Sequence, residues 1–327
     1  TTLCLNFINE IIDLYTDSTD RAQILAAKAR VLFSLKQFQE GIDISFEVLE
    51  LCDFKLEERT DEYINKYLNS KLIPRLELSY SEIRRLEKLP KAKDSKIIFL
   101  QEVFNEMYFP CLALRKRSLE KFLMFQSVVF MLDYGKSGFV TLPLIMTASN
   151  IAKSTKSSNF IKSVEYCKLA LKLAEDPSLN IFEQYALTYH YYCYSIGPFI
   201  EPLSAILKHY DLFVTSTHNF HSSIADKATA LRFKTFLWLC SNISLNQISQ
   251  KVENRLHATF GKYKDRDEVV AFVSLSRDIL KLFAGKIQPE EVVPSRYMAD
   301  FKNIENDPRS DYLIIAVAGY NCFTSFI

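Results

Sequence analysis

The sequence predicts an all-α protein, an α-solenoid built from antiparallel helix pairs, and three observations carry that expectation. Apolar residues recur at helical spacing along most of the 327 residues, with no competing period-two alternation of a half-buried strand. Only 7 residues are glycine and 10 are proline, so long turn-rich stretches are scarce, and a hydrophobic content of 48% argues against extended disorder. Proline, glycine or serine punctuates most joints between periodic segments: Leu89-Pro90, Phe109-Pro110, Tyr134-Gly135, Gly197-Pro198 and Gln288-Pro289.

The first organised element is a helical hairpin over residues 22–51. Leu25, Ala29 and Leu32 share one face of its first helix; the chain turns around Phe38 and Gln39; Ile42, Phe46 and Leu49 then return at helical spacing. Gly41 lets the two helices approach closely. A second hairpin over residues 142–177 has the same landmarks. Ala148 and Ala152 are small residues on its first helix, Phe160 opens the second, Ser163, Tyr166, Ala170 and Leu173 form the inner stripe, and Asp176-Pro177 stops it. Small residues at a helix crossing with an aromatic near the turn are the landmarks of the tetratricopeptide pattern, so the expected array is a tetratricopeptide-like superhelix.

Less regular helices are expected at residues 62–68, 77–86, 96–108, 112–134, 182–196, 202–218, 222–239, 245–260, 266–283 and 311–323, with a flexible loop at about 285–308. Helix pairs with short joints cannot bury their apolar faces alone and stack on their neighbours. The chain therefore reads as one continuous helical-repeat array over residues 1–327, with a sub-division at 1–135 and 136–327. Its abrupt start at Thr1-Thr2-Leu3, and its stop inside an unfinished apolar pattern at Ile327, read as a fragment of a longer protein.

Forty Lys and Arg against 39 Asp and Glu leave a net charge of +1, which provides no field to collect nucleic acid or an acidic membrane. The most apolar windows, residues 119–132 and 312–327, are too short or too interrupted to span a bilayer. Seven scattered cysteines without a CxxC pair read as small core hydrophobes in a reducing compartment, so a cytoplasmic protein is expected.

Candidate chemistry is sparse. Gly135-Lys136-Ser137 matches the end of a phosphate-binding loop, but the lead-in is helical and lacks the glycines such a loop needs, so Gly135 reads as a helix terminator. His218 and His221 have no HExxH or carboxylate context, and His257 has no triad partners; no metal site and no catalytic residue is expected. The run around His190 places Tyr185, Tyr189 and Tyr192 as a candidate partner groove, against the plainer reading of a buried tyrosine-rich helix. Cys111 is the candidate redox cysteine, because it follows Pro110 near an expected helix start and precedes Arg115 and Lys116; the alternative is a structural thiol. Arg115-Lys116-Arg117 and residues 262–268 read as solvated charge runs.

Between the hairpins, Leu89, Pro90, Asp94 and Lys96, then Pro110, then Tyr134, Gly135 and Ser137, and finally Phe160, Ala170 and Leu171 follow an order that carries a family likeness. The stretch resembles the helical segment of large hybrid sensor histidine kinases, in their fungal, stress-responsive branch. These begin with a protein-kinase-like domain and an AAA-type ATPase and continue to sensory, kinase and receiver modules. The resemblance implies a non-catalytic segment that docks protein partners, among them stress-signalling components, and couples the neighbouring ATPase and kinase modules of a phosphorelay. It implies no cofactor here, and ATP only on flanking modules. The alternative is a free-standing tetratricopeptide-like adaptor or assembly subunit.

Overall fold

The computed structural model describes residues 2–15, 17–153, 157–179, 182–216 and 243–260, with Trp238, Asp278, Lys281 and Lys286. The protein is all-α: helices dominate the described residues, which contain no strand and a single parallel bridge between Lys91 and Lys136. The chain divides into two compact units, Thr1–Ile196 and Gly197–Ile327. The boundary raised at residue 135 falls inside the first unit. No helix among the described residues is long and apolar enough to cross a membrane. Apart from Trp238, Asp278, Lys281 and Lys286, the helices expected at 222–239, 266–283 and 311–323 and the loop at 285–308 lie outside the described residues, as do the charge run at 262–268, His218, His221 and the Gln288-Pro289 joint.

The first unit opens with α1 (Thr2–Ile11), which the sequence reading did not anticipate, and a short 3-10 turn at Ile12–Leu14. The first hairpin is α2 (Ser18–Ser34) against α3 (Phe38–Leu51). Asp17 caps α2 by accepting from the Thr19 and Asp20 amides, a contact worth about 1 kcal/mol. Ala22, Leu25, Ala26, Ala29 and Leu32 face Ile42, Phe46 and Leu49, all buried. The Phe33 ring lies over Gly41, filling the space a Cβ would need.

The turn of this hairpin is at Lys36, not at Phe38 and Gln39, because the chain closes by a Schellman motif. Lys36 sits at φ +64; its amide donates to Phe33 O at 3.1 Å and that of Gln37 to Leu32 O at 2.9 Å. The same motif recurs twice. Asp53 ends α3 at φ +55 with Phe54 N donating to Leu49 O, and Arg115 stands at φ +57 with Lys116 N donating to Cys111 O. Glycine is the residue that motif prefers; here Lys, Asp and Arg hold the left-handed position.

A set of short helices follows: α4 (Asp61–Tyr67), a π-helical stretch (Leu68–Leu72), α5 (Ile73–Leu76) and α6 (Tyr80–Arg85), the last closed by a Ser79–Glu82 capping box. Pro74 follows the π stretch. A proline ring clashes with the carbonyl four residues earlier, and the wider turn relieves that crowding.

The centre of the unit is α7 (Ser95–Ala113) against α8 (Arg117–Tyr134). A break was expected at Pro110; instead α7 runs through it to Ala113, and the left-handed Arg115 turns the chain toward α8. An interior proline costs roughly 3 kcal/mol. Burial of Phe104 and Met107 near it is worth about 1.5–3 kcal/mol each, which outweighs the loss. Nearly every residue of α8 from Leu119 to Met131 is buried, as in a helix surrounded on all sides. Phe54, Phe104, Phe122 and Phe130 form its aromatic core, with Phe104 and Phe130 stacked at 5.8 Å.

The second hairpin is α9 (Thr141–Ala152) against α10 (Ser157–Ala174), followed by α11 (Phe182–Ser195). Ser163, Tyr166, Ala170 and Leu173 are all buried, so the inner stripe read from spacing is the packed face. The second unit, described by itself, has a 3-10 turn at Gly197–Phe199, α12 (Leu203–Ser216) and α13 (Leu245–Phe260), which buries Ile248 and Val252.

Candidate functional site

Of the residues singled out between the hairpins, Pro90, Gly135 and Ser137 come together at the end of α8. The α8 helix stops at Gly135, whose φ of +100 suits only glycine; a Cβ there would strike the Pro90 carbonyl. The next amide, Lys136 N, donates to Pro90 O at 2.8 Å, and Ala92 N donates back to Lys136 O at 2.8 Å. The Leu-Pro and Tyr-Gly-x-Ser stretches, more than forty residues apart in sequence, are thereby clasped backbone to backbone.

Below the clasp lies a buried polar chain. Ser137 Oγ donates to Gln101 Oε1 at 2.6 Å and accepts from Phe139 N, while Gln101 Nε2 donates to Ser127 O at 2.9 Å. Asn105 Nδ2 donates to both Gln101 O and Phe139 O at 2.8 Å. Gln101, Asn105 and Ser137 are buried, so each bond is worth about 0.5–1.5 kcal/mol net, and losing one partner would cost about 1–3 kcal/mol. Two lysines extend the clasp outward: Lys91 Nζ donates to Ser178 O at 3.1 Å, beyond the end of α10, and Lys136 Nζ to Glu87 O at 2.7 Å. Amides and hydroxyls of this kind set positions and do not titrate; the clasp is a joint between α7, α8, the start of α9 and the end of α10. Lys136 N and Ser137 Oγ, which a phosphate loop would present to an anion, are spent on these protein contacts.

Ion pairs bind the same elements from outside. Arg30 on α2 reaches Glu102 at 2.8 Å and Glu106 at 2.5 Å on α7; Arg75 on α5 grips Asp133 on α8 with both nitrogens, at 2.5 and 2.9 Å; Arg84 on α6 meets Glu165 on α10 at 2.6 Å. The hydrogen bond from Arg84 leads the causes that hold the Glu165 carboxyl below the ordinary range. Sequence reasoning missed these pairs because their partners are 58 to 81 residues apart and carry no local spacing signal.

The candidates picked from sequence fare differently. Tyr189 and Tyr192 are 3% and 1% exposed, so they belong to the core and do not line an open groove. The Tyr189 hydroxyl donates to Glu175, and Tyr185, half-buried, touches Tyr189 with ring centroids 4.9 Å apart. His190 is buried beside Tyr191, and burial lowers its pKa to about 4. Cys111 lies in the last turn of α7 rather than at a helix start, fully buried; burial pushes its thiol well above the ordinary value, more than Lys116 draws it down. That setting suppresses the thiolate a peroxide sensor requires. Among the described residues no three His, Cys, Asp or Glu side chains are grouped to hold a metal ion.

The outward side of the first hairpin is unlike the rest of the unit. Glu40, Asp43, Glu47 and Glu50 follow one another at helical spacing along α3, all exposed. Beside them an open groove of about 280 Å³ is lined by Arg21, Leu25, Glu47, Glu50 and Leu51. Glu50, one of its lining residues, also pairs with Arg59 at 3.0 Å, whose guanidinium lies 4.2 Å above the Phe46 ring. No protein-family model, curated protein or solved structure matches the chain.

Proposed function

We propose that the chain is a non-catalytic scaffold, a tetratricopeptide-like α-solenoid segment that docks protein partners and transmits packing changes between neighbouring modules. The clasp carries the reading. It ties the α7/α8 pair to the start of α9 through buried amides and a hydroxyl and to the end of α10 through Lys91, so a shift in one pair cannot be absorbed locally and is handed to the next. The order of Leu89, Pro90, Tyr134, Gly135 and Ser137 adds the suggestion that the parent is a stress-responsive fungal hybrid histidine kinase acting in the cytoplasm.

Two measurements test this. The sequence of the complete transcript should carry a nucleotide-binding loop upstream and an H-box downstream; a short reading frame without either leaves a free-standing adaptor. Affinity purification of the chain from stressed and unstressed cells, read by quantitative mass spectrometry, should enrich phosphorelay proteins. A set no different from a bare-tag control overturns the scaffold reading.

A further inference from the structure

We propose that the outward face of α3 docks an arginine-rich peptide segment of a partner protein, with one arginine taking the position over Phe46 and Glu50 that Arg59 holds in the free chain. This rests on the scaffold reading and names the partner's chemistry. Three observations carry it.

Charge is the first. Residues 39–62 hold nine acidic and two basic side chains in a protein whose net charge is +1, so the excess of negative charge is segregated rather than general. The four acids of α3 form one exposed row, and such a row attracts a cationic segment and orients it along the helix.

Shape is the second. The groove between α2 and α3 is lined by Arg21, Leu25, Glu47, Glu50 and Leu51, so its two carboxylates outnumber its one cation and stand beside an apolar lining of Leu25 and Leu51. That combination accepts the apolar stem of a long cationic side chain while pairing its head.

The third is an occupant supplied by the chain itself. Arg59, on the connection before α4, stacks on Phe46 at 4.2 Å and pairs with Glu50 at 3.0 Å. A planar guanidinium is suited to this combination of aromatic face and carboxylate. Arg59 is 42% exposed and Glu50 46%, so the contact is held at the surface, where an incoming arginine can exchange with it.

The test is fluorescence anisotropy with a labelled twelve-residue peptide of alternating arginine and leucine, titrated with the full chain at physiological ionic strength. The wild-type chain should bind saturably. Glu47→Gln/Glu50→Gln should weaken binding about tenfold, and Arg59→Ala, which frees Phe46, should tighten it about threefold. Glu10→Gln/Glu77→Gln, removing two exposed acids that do not line the groove, should change it less than twofold. Equal weakening by the two double variants would reduce the effect to diffuse attraction and overturn the proposal, as would unchanged or weaker binding by Arg59→Ala, or no binding by the wild type. Circular dichroism confirms that each variant is folded. Partner recovery in the affinity purification is read separately, so loss of peptide binding alone sinks the arginine site and leaves the scaffold reading standing.

Discussion

The two hairpins share a sequence pattern and play opposite parts. In α2/α3 the apolar stripe is narrow, the turn is three residues long, and the far side of α3 is a row of carboxylates facing water. In α9/α10 the first helix buries Thr141, Leu142, Pro143, Leu144, Ile145, Thr147 and Ala148, because α8, α10 and α11 surround it. The α2/α3 hairpin therefore sits at the edge with a face to offer, whereas α9/α10 is part of the interior. One sequence pattern thus serves both positions, and the width of the apolar stripe, not the landmark residues, distinguishes them.

Breaking the clasp at Gly135, inside the first unit, should have the largest effect. Gly135→Ala forces a side chain into a glycine-only conformation and against the Pro90 carbonyl, so roughly 3 kcal/mol of stability should be lost in urea melts. Next comes acid. His190, on α11 beside the interior hairpin, has a folded pKa of about 4, below the unfolded value, so the unfolded state binds the extra proton. Its contribution is complete above about pH 6.5 and falls as pH drops toward 4, amounting to about 2 kcal/mol between pH 7 and 5. His190→Phe should flatten the stability profile across that window, and an unchanged slope would contradict the assignment.

Overpacking sharpens the contrast. Ala148→Leu adds volume where the side chain is fully buried and should cost about 2 kcal/mol. At the edge, Lys36→Gly relieves a left-handed lysine and should raise stability by about 1 kcal/mol, visible as a higher midpoint in thermal melts. Smallest of all, Gly41→Ala requires the half-buried Phe33 ring to swing away, but gains helix propensity of about 1 kcal/mol, so the net change should stay below about 1 kcal/mol. If Gly41→Ala proves as damaging as Ala148→Leu, the edge-and-interior distinction fails.

Local periodicity made much of the fold legible. The stripe Ser163, Tyr166, Ala170 and Leu173 was readable because helical geometry places those positions on one side. Other features were hidden for identifiable reasons. Pro110 signals a break locally, yet apolar burial around it is stronger. The three left-handed turns lack the glycine that would have marked them. A tyrosine-rich helix has the same composition whether it lines a groove or fills a core, so the burial of Tyr189 and Tyr192 could not be read from their spacing.

The candidate site divides along the same line. Leu89, Pro90, Gly135 and Ser137 stood out in the sequence as punctuation, but nothing local says that Lys136 and Pro90 bond to each other or that Gln101 lies beneath them. Sequence by itself determined that this chain is helical, where most described helices lie, and which residues form their apolar stripes, because those follow from a 3.6-residue period acting over a few turns. Only the tertiary structure decided which hairpin is interior, how distant carboxylates and arginines pair, and where the clasp closes. These depend on which stripes meet, and burial of whole faces outweighs the preference of any single residue.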